Sequence, residues 1–117
     1  MRTRDLISAA RRMGREDASR AASWAWDGNT SRETAERIVR MLENGDPEVY
    51  DLFAAPNLSG EYADEPTPQG LARDLGLEDD DPRSEWLVDE LASAYEDAVS
   101  SVFWPAVERA YRAILTA

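Results

Sequence analysis

Apolar residues recur at three- and four-residue spacing in several stretches of the chain, and no stretch shows a convincing two-residue alternation, so the pattern predicts helices and no sheet. Leu6, Ile7, Ala10 and Met13 predict a first helix behind a Thr3 cap, with Gly14 placed to stop or bend it. Ala18, Ala21, Ala22 and Trp26 predict a second helix that ends at Gly28. Thr30-Ser31-Arg32-Glu33 has the form of a capping box, with Thr30 as the cap, and Ala35, Ile38, Val39 and Leu42 follow as the cleanest apolar stripe. On that helix Glu33 to Arg37 and Glu36 to Arg40 are spaced for favourable ion pairs.

Asn44-Gly45 ends the stripe, and Asp46-Pro47 restarts the chain as a short buried helix carrying Val49, Tyr50, Leu52 and Phe53. Residues 54–66 form the longest irregular stretch, of a length more often functional than idle. Thr67-Pro68 opens another short helix that Gly76 ends. Asp81-Pro82 opens the last helical region, where Leu87, Leu91, Ala94, Tyr95, Ala98 and Val102 share one side; Glu85, Asp89 and Glu96 share the other, with Glu90 and Asp97 nearby. Pro105 cannot donate to the helical ladder and crowds the Ser101 carbonyl, which predicts a kink or break before the apolar face of residues 106–115. The fold expected is all-α: a compact single domain over residues 1–117, a bundle of five to seven helices with its C-terminal helical region kinked or broken near Pro105.

The aromatic residues divide on this pattern. Trp24, Trp26, Tyr50, Phe53, Tyr95 and Tyr111 are expected in the core, where burial gives them most of their stabilising effect. Trp86 falls among acids instead of on the apolar stripe, and Phe103 is a second exception. An exposed aromatic ringed by carboxylates has the composition of an interface anchor with a polar rim; the competing reading packs Trp86 under the 54–66 loop.

The net charge of -11 divides unevenly: residues 1–42 carry nine arginines against six acids, residues 43–97 carry seventeen acids against Arg73 and Arg83, and residues 98–117 are close to neutral. The acid is therefore local. The bland reading is a solvated surface that confers solubility; the sharper one is a binding face. All thirteen basic residues are arginine, which reads as coding bias of a GC-rich genome. Without cysteine or histidine the described chemistry has no thiolate, no disulfide and no imidazole, leaving carboxylate, phenol and guanidinium. The apolar run Leu6–Ala10 is too short for a signal peptide and no segment approaches a membrane span, so a cytoplasmic location is expected.

Several motifs carry less than their outline suggests. Thr67–Leu77 resembles the first helix and turn of a helix-turn-helix, but Glu78-Asp79-Asp80-Asp81 would then face phosphates and repel them. Residues 5–26, with Arg11, Arg12, Arg15 and Arg20, offer a second, poorer fit to the same motif. The run 78–81 could attract a hard cation, yet it lacks the alternating ligands, central glycine and distal glutamate of a calcium loop, and a helix start explains it better. Nothing marks a carboxylate pair as buried for acid–base work, and Asn29-Thr30-Ser31 is accounted for by ending one helix and starting the next.

Trp26-Asp27-Gly28-Asn29-Thr30, Leu58-Ser59-Gly60-Glu61-Tyr62-Ala63-Asp64 leading into Pro66-Thr67-Pro68, and Ala94-Tyr95-Glu96-Asp97-Ala98 together resemble small acidic proteins of unassigned function carried on plasmids and phages of GC-rich bacteria. The resemblance spans residues 22–112 and supplies no catalytic residues. It implies an accessory role on a mobile element, where countering host nucleases is a common task.

The leading expectation is an acidic, DNA-mimic-like inhibitor, of anti-restriction or anti-CRISPR type, that binds a basic nucleic-acid-handling protein and no nucleic acid itself. Glu61, Asp64, Glu65, Asp79, Asp80, Asp81, Glu85, Asp89 and Glu96 would supply charge and Trp86 the anchor. No catalytic residue, cofactor, metal or membrane contact is expected. The alternatives are a helical assembly or adaptor module, homodimeric through the apolar faces of residues 86–115, and an antitoxin or immunity protein.

Overall fold

The computed structural model describes residues 1–25, 30–58 and 66–117. They form four α-helices and one short 3-10 helix: α1 (Thr3–Ala25), α2 (Arg32–Asn44), the 3-10 helix Pro47–Asp51, α3 (Pro68–Asp74) and α4 (Ser84–Thr116). Among the described residues there is no strand. The expected Trp26, Asn29, Glu61, Asp64 and Glu65 roles lie outside the described residues.

Two expected helices are one. α1 runs through Gly14 for 23 residues, burying Leu6, Ala10, Gly14, Ala18 and Ala22, one residue in every four. Gly14 neither stops nor bends the helix; it lets two helices touch. A Cβ there would lie 2.4 Å from the Tyr95 carbonyl oxygen and 3.0 Å from the Ala98 Cβ, both on α4. The small residues of this row admit the backbone of α4 where a larger side chain would hold it off.

The break expected as one outcome at Pro105 is absent. α4 is a single 33-residue helix with Pro105 inside it. Pro105 and Ser101 are both exposed, so water can serve the carbonyl that the proline leaves without its helical donor. The buried positions Leu87, Leu91, Tyr95, Val99, Phe103, Val107 and Tyr111 again come every four residues. A four-residue step advances about 40° round an α-helix, so this row turns through about 240° between Leu87 and Tyr111. The buried face of α4 therefore spirals, and the partners change along its length. Phe103, expected to be an exception to burial, lies on this row and is fully buried.

α1 and α4 run parallel. Arg83 at the start of α4 donates to the Met1 carbonyl oxygen (2.9 Å) and Thr3 Oγ1 (3.2 Å), Gly14 meets Tyr95 and Ala98 midway, and the Tyr111 hydroxyl donates to the Ala25 carbonyl oxygen (3.4 Å) at the far end. Each end contact also satisfies a backbone or hydroxyl oxygen near a helix terminus. The pair defines the long axis of a body 53 × 26 × 23 Å in extent. α2 lies by the C-terminal end of α4, where Arg32 donates to the Leu115 carbonyl oxygen (2.9 Å) and Glu43 accepts from Arg112.

Local chemistry sets the helix ends. Ser31, one residue later than expected, caps α2 by accepting from the Thr34 amide, and Gly45 closes it at φ 65° with bonds back to Leu42 and Met41. The expected Glu33–Arg37 and Glu36–Arg40 pairs are replaced by Arg32–Glu36 at 4.0 Å, the one ion pair within α2 among the described residues. Asp46 and Thr67 cap the segments behind them as expected, each with proline just inside. Because residues 47–51 wind as a 3-10 helix, only Val49 points inward; Tyr50 is 51% exposed and stacks edge-on against Trp104 instead of entering the core. Trp24, also expected in the core, is 82% exposed.

Candidate functional site

The segment leading into α4 is held by an ion pair between two of its own side chains. Asp81 accepts from the Arg83 amide (2.8 Å) and from the Arg83 guanidinium (3.1 and 2.8 Å). The side-chain hydrogen bond from Arg83, then the backbone one, hold the Asp81 carboxyl down at about 2. The same guanidinium reaches Met1 and Thr3, so Asp81 and Arg83 tie the start of α4 to the start of α1. Ser84 Oγ donates to the carbonyl oxygens of Asp79 and Asp81, and Asp79 pairs with Arg73 at 3.5 Å. Of the three aspartates expected to supply charge here, only Asp80 is exposed without an ion pair among the described residues, because Asp79 and Asp81 face arginines of their own chain.

The open charge begins one turn later. Glu85, Asp89 and Glu96 are spaced by four and seven residues, which places them on one face of α4, with Glu90 and Asp97 on its flank. All five are exposed and none has an ion pair among the described residues. From Glu85 to Asp97 the helix rises about 18 Å, so five carboxylates give roughly one charge per 4 Å along the axis. Trp86 stands at the edge of this face, 51% exposed and outside the hydrophobic core, with Asp89 and Glu90 one turn ahead of it. Among the described residues no three acids converge in a way that could hold a metal ion, and no described helix is long and apolar enough to cross a membrane.

A second feature was not legible in the residue pattern. An open groove of about 780 Å³ runs between the C-terminal half of α1 and residues 52–57, lined by Trp24, Leu52, Phe53, Pro56, Tyr95 and Tyr111 among others. At its floor the Tyr95 hydroxyl donates to Asp17 Oδ2 (2.7 Å), and Arg20 stands 3.6 Å from the other Asp17 oxygen. Burial, then the hydrogen bond to Asp17, pushes the Tyr95 phenol well above its ordinary value, so the site offers a fixed neutral donor already in use. The one signal for the groove lies in the small-residue row: Trp24 falls two positions past Ala22 and therefore off it.

Comparison with known protein families, curated proteins and solved structures finds no match. Fold and surface define an all-helical domain whose longest described helix carries a carboxylate face without ion pairs among the described residues.

Proposed function

We propose that this chain is a protein-binding inhibitor whose partner surface is the face Glu85–Asp97 of α4, and whose partner is a basic, nucleic-acid-handling protein. The observation that carries the reading is the set of five exposed carboxylates, three in one row and two on its flank, without ion-pair partners among the described residues and beside the half-exposed Trp86. Along the face Glu85, Asp89 and Glu96 rise about 6 and 10 Å from one to the next, which is about two and three times the 3.4 Å phosphate spacing of a single DNA strand, so arginines and lysines placed for every second or third phosphate would find carboxylates there. Trp86 would add apolar area at the rim, where charge alone gives steering more than affinity. Action in the cytoplasm, as an anti-restriction or anti-CRISPR factor of a mobile element, is the concrete form of the proposal.

The rival reading, assembly through the apolar faces of residues 86–115, has less to work with. Leu87, Leu91, Phe103, Val107 and Tyr111 are already buried against the chain's own helices.

The test is capture from bacterial lysate at low and high salt, with the wild type beside Glu85→Gln/Asp89→Asn/Glu96→Gln and Trp86→Ala variants. Recovery of one nucleic-acid-binding protein that duplex DNA displaces, and that the charge variant fails to retain, is expected. Retention by the charge variant, or a captured partner indifferent to DNA, refutes the proposal.

A further inference from the structure

The carboxylate face has a counterpart on the same chain. Arg4, Arg11 and Arg15 of α1 are exposed and have no ion pair among the described residues. With Ser8 they occupy positions spaced four, seven and eleven residues from the first, which is one narrow face of a helix. Glu85, Asp89, Ala92 and Glu96 of α4 repeat that spacing. Laid antiparallel, the two faces match position by position: Arg4 opposite Glu96, Ser8 opposite Ala92, Arg11 opposite Asp89 and Arg15 opposite Glu85. Three opposite charges meet, and the small pair Ser8/Ala92 falls between them, where it lets the helices approach.

Within one molecule the match cannot form, because α1 and α4 run parallel and pack through other faces, Gly14 against Tyr95 and Ala98. A row of acids alone would not name its occupant; the arginine row in the same spacing does. We propose that α1 of one copy docks antiparallel on α4 of a second copy through these two seams. This goes beyond the inhibitor reading, although it uses the same carboxylates.

The geometry also fixes the form of the assembly. On each helix the seam lies about a third of a turn from the residues that join α1 to α4, in the same rotational sense. Two parallel helices with equal offsets carry their seams on opposite sides of the pair. Each copy therefore has one donor side and one acceptor side, and copies stack in alternating orientation without closing into a dimer. Exposed ion pairs are weak and screened by salt, so the stack should form at high protein concentration and low ionic strength.

Sedimentation of the full chain tests this. At about 0.01 M salt, where the Debye length is about 30 Å, mean mass should climb with concentration without levelling at a dimer; at about 1 M, where it is about 3 Å, the chain should be monomeric. An Arg4→Ser/Arg11→Ser/Arg15→Ser variant should lose self-association yet keep the lysate partner of the inhibitor reading. Register is tested by thiols, since the chain has no cysteine. Mixed Ser8→Cys and Ala92→Cys proteins should cross-link at low salt several-fold faster than Ser8→Cys mixed with Ser100→Cys, and Ser93→Cys serves if Ala92→Cys folds poorly. A monomer at every salt concentration, a salt-independent dimer, or equal cross-linking at both positions overturns the proposal, and none of these outcomes touches partner capture.

Discussion

Gly14→Ala separates a packing role from a conformational one, because the two predict opposite signs. In an exposed helix interior alanine is more favourable than glycine by about 1 kcal/mol. Here the added Cβ would sit 2.4 Å from the Tyr95 carbonyl oxygen, 3.2 Å from its carbon and 3.0 Å from the Ala98 Cβ. Two of the three are backbone atoms of a long helix and cannot swing aside, so α1 and α4 must separate by about 1 Å, a gap that forfeits a quarter to a half of each affected dispersion contact. Overpacking of this kind costs about 1–3 kcal/mol, and the upper end applies where backbone must move. Set against the helix-propensity gain, the net loss is about 2 kcal/mol, or about 8 °C in melting temperature for a chain of this size. Thermal and urea unfolding followed by circular dichroism reads it, with Ser19→Ala, exposed on the same helix, as the control expected to change little. A Gly14→Ala protein as stable as the wild type, or more so, would refute the close α1–α4 contact.

Pro105→Ala should raise stability by about 2 kcal/mol, since proline in a helix interior costs about 3 kcal/mol relative to alanine and the site is exposed; a neutral result in urea unfolding would mean that α4 is interrupted there. Tyr95→Phe removes the hydrogen bond to Asp17 and should cost about 1–2 kcal/mol, because the acceptor is a carboxylate but partly open to water. The Tyr95 phenol titrates higher in the folded chain than its ordinary 10.0, so its contribution is complete below pH 10 and declines as pH rises through the raised value; the phenylalanine variant should lose that alkaline slope. Asp81 has the opposite sign. Its folded value of about 2 lies below the ordinary 3.8, so its contribution is present above pH 3.8 and is lost as pH falls toward 2. Urea midpoints measured through that window should flatten in Asp81→Asn.

Fold class was readable because the three- and four-residue spacing is repeated in almost every segment, and the caps at Asp46, Thr67 and Gly45 act through neighbours one to four residues away. Contacts at long range are not written in local pattern. Gly14 looks like a helix stop until Tyr95 is seen against it, and Pro105 looks like a break until its face proves to be solvent. The same cause merged two expected helices into α1 and kept α4 whole, leaving four α-helices among the described residues where five to seven helices were expected. A fixed helical wheel assigns Phe103 to the side of Glu85 and so makes it an exception to burial; the buried row of α4 turns, and a wheel averages the turn away. For the candidate site, the exposure of Glu85, Asp89 and Glu96 followed from local pattern, whereas for Trp86 local pattern left exposure and packing under the 54–66 loop both open. The arginines that occupy Asp79 and Asp81 did not, and neither did the groove beside Trp24, because each depends on which segments the fold brings together.

The parallel pairing of α1 with α4 bears on how the chain reaches its fold. The contacts that join them, Arg83 to Thr3, Tyr95 to Asp17 and Tyr111 to Ala25, close sequence separations of 80, 78 and 86 residues. An up-and-down bundle earns its interfaces between neighbours in sequence and folds quickly; here the long partner of α1 among the described residues is α4, which is synthesised about 60 residues after it. During translation α1 would leave the ribosome with its row of small residues uncovered, too weakly apolar to collapse on its own. Folding should then be late and cooperative, and slower than the helix content alone suggests.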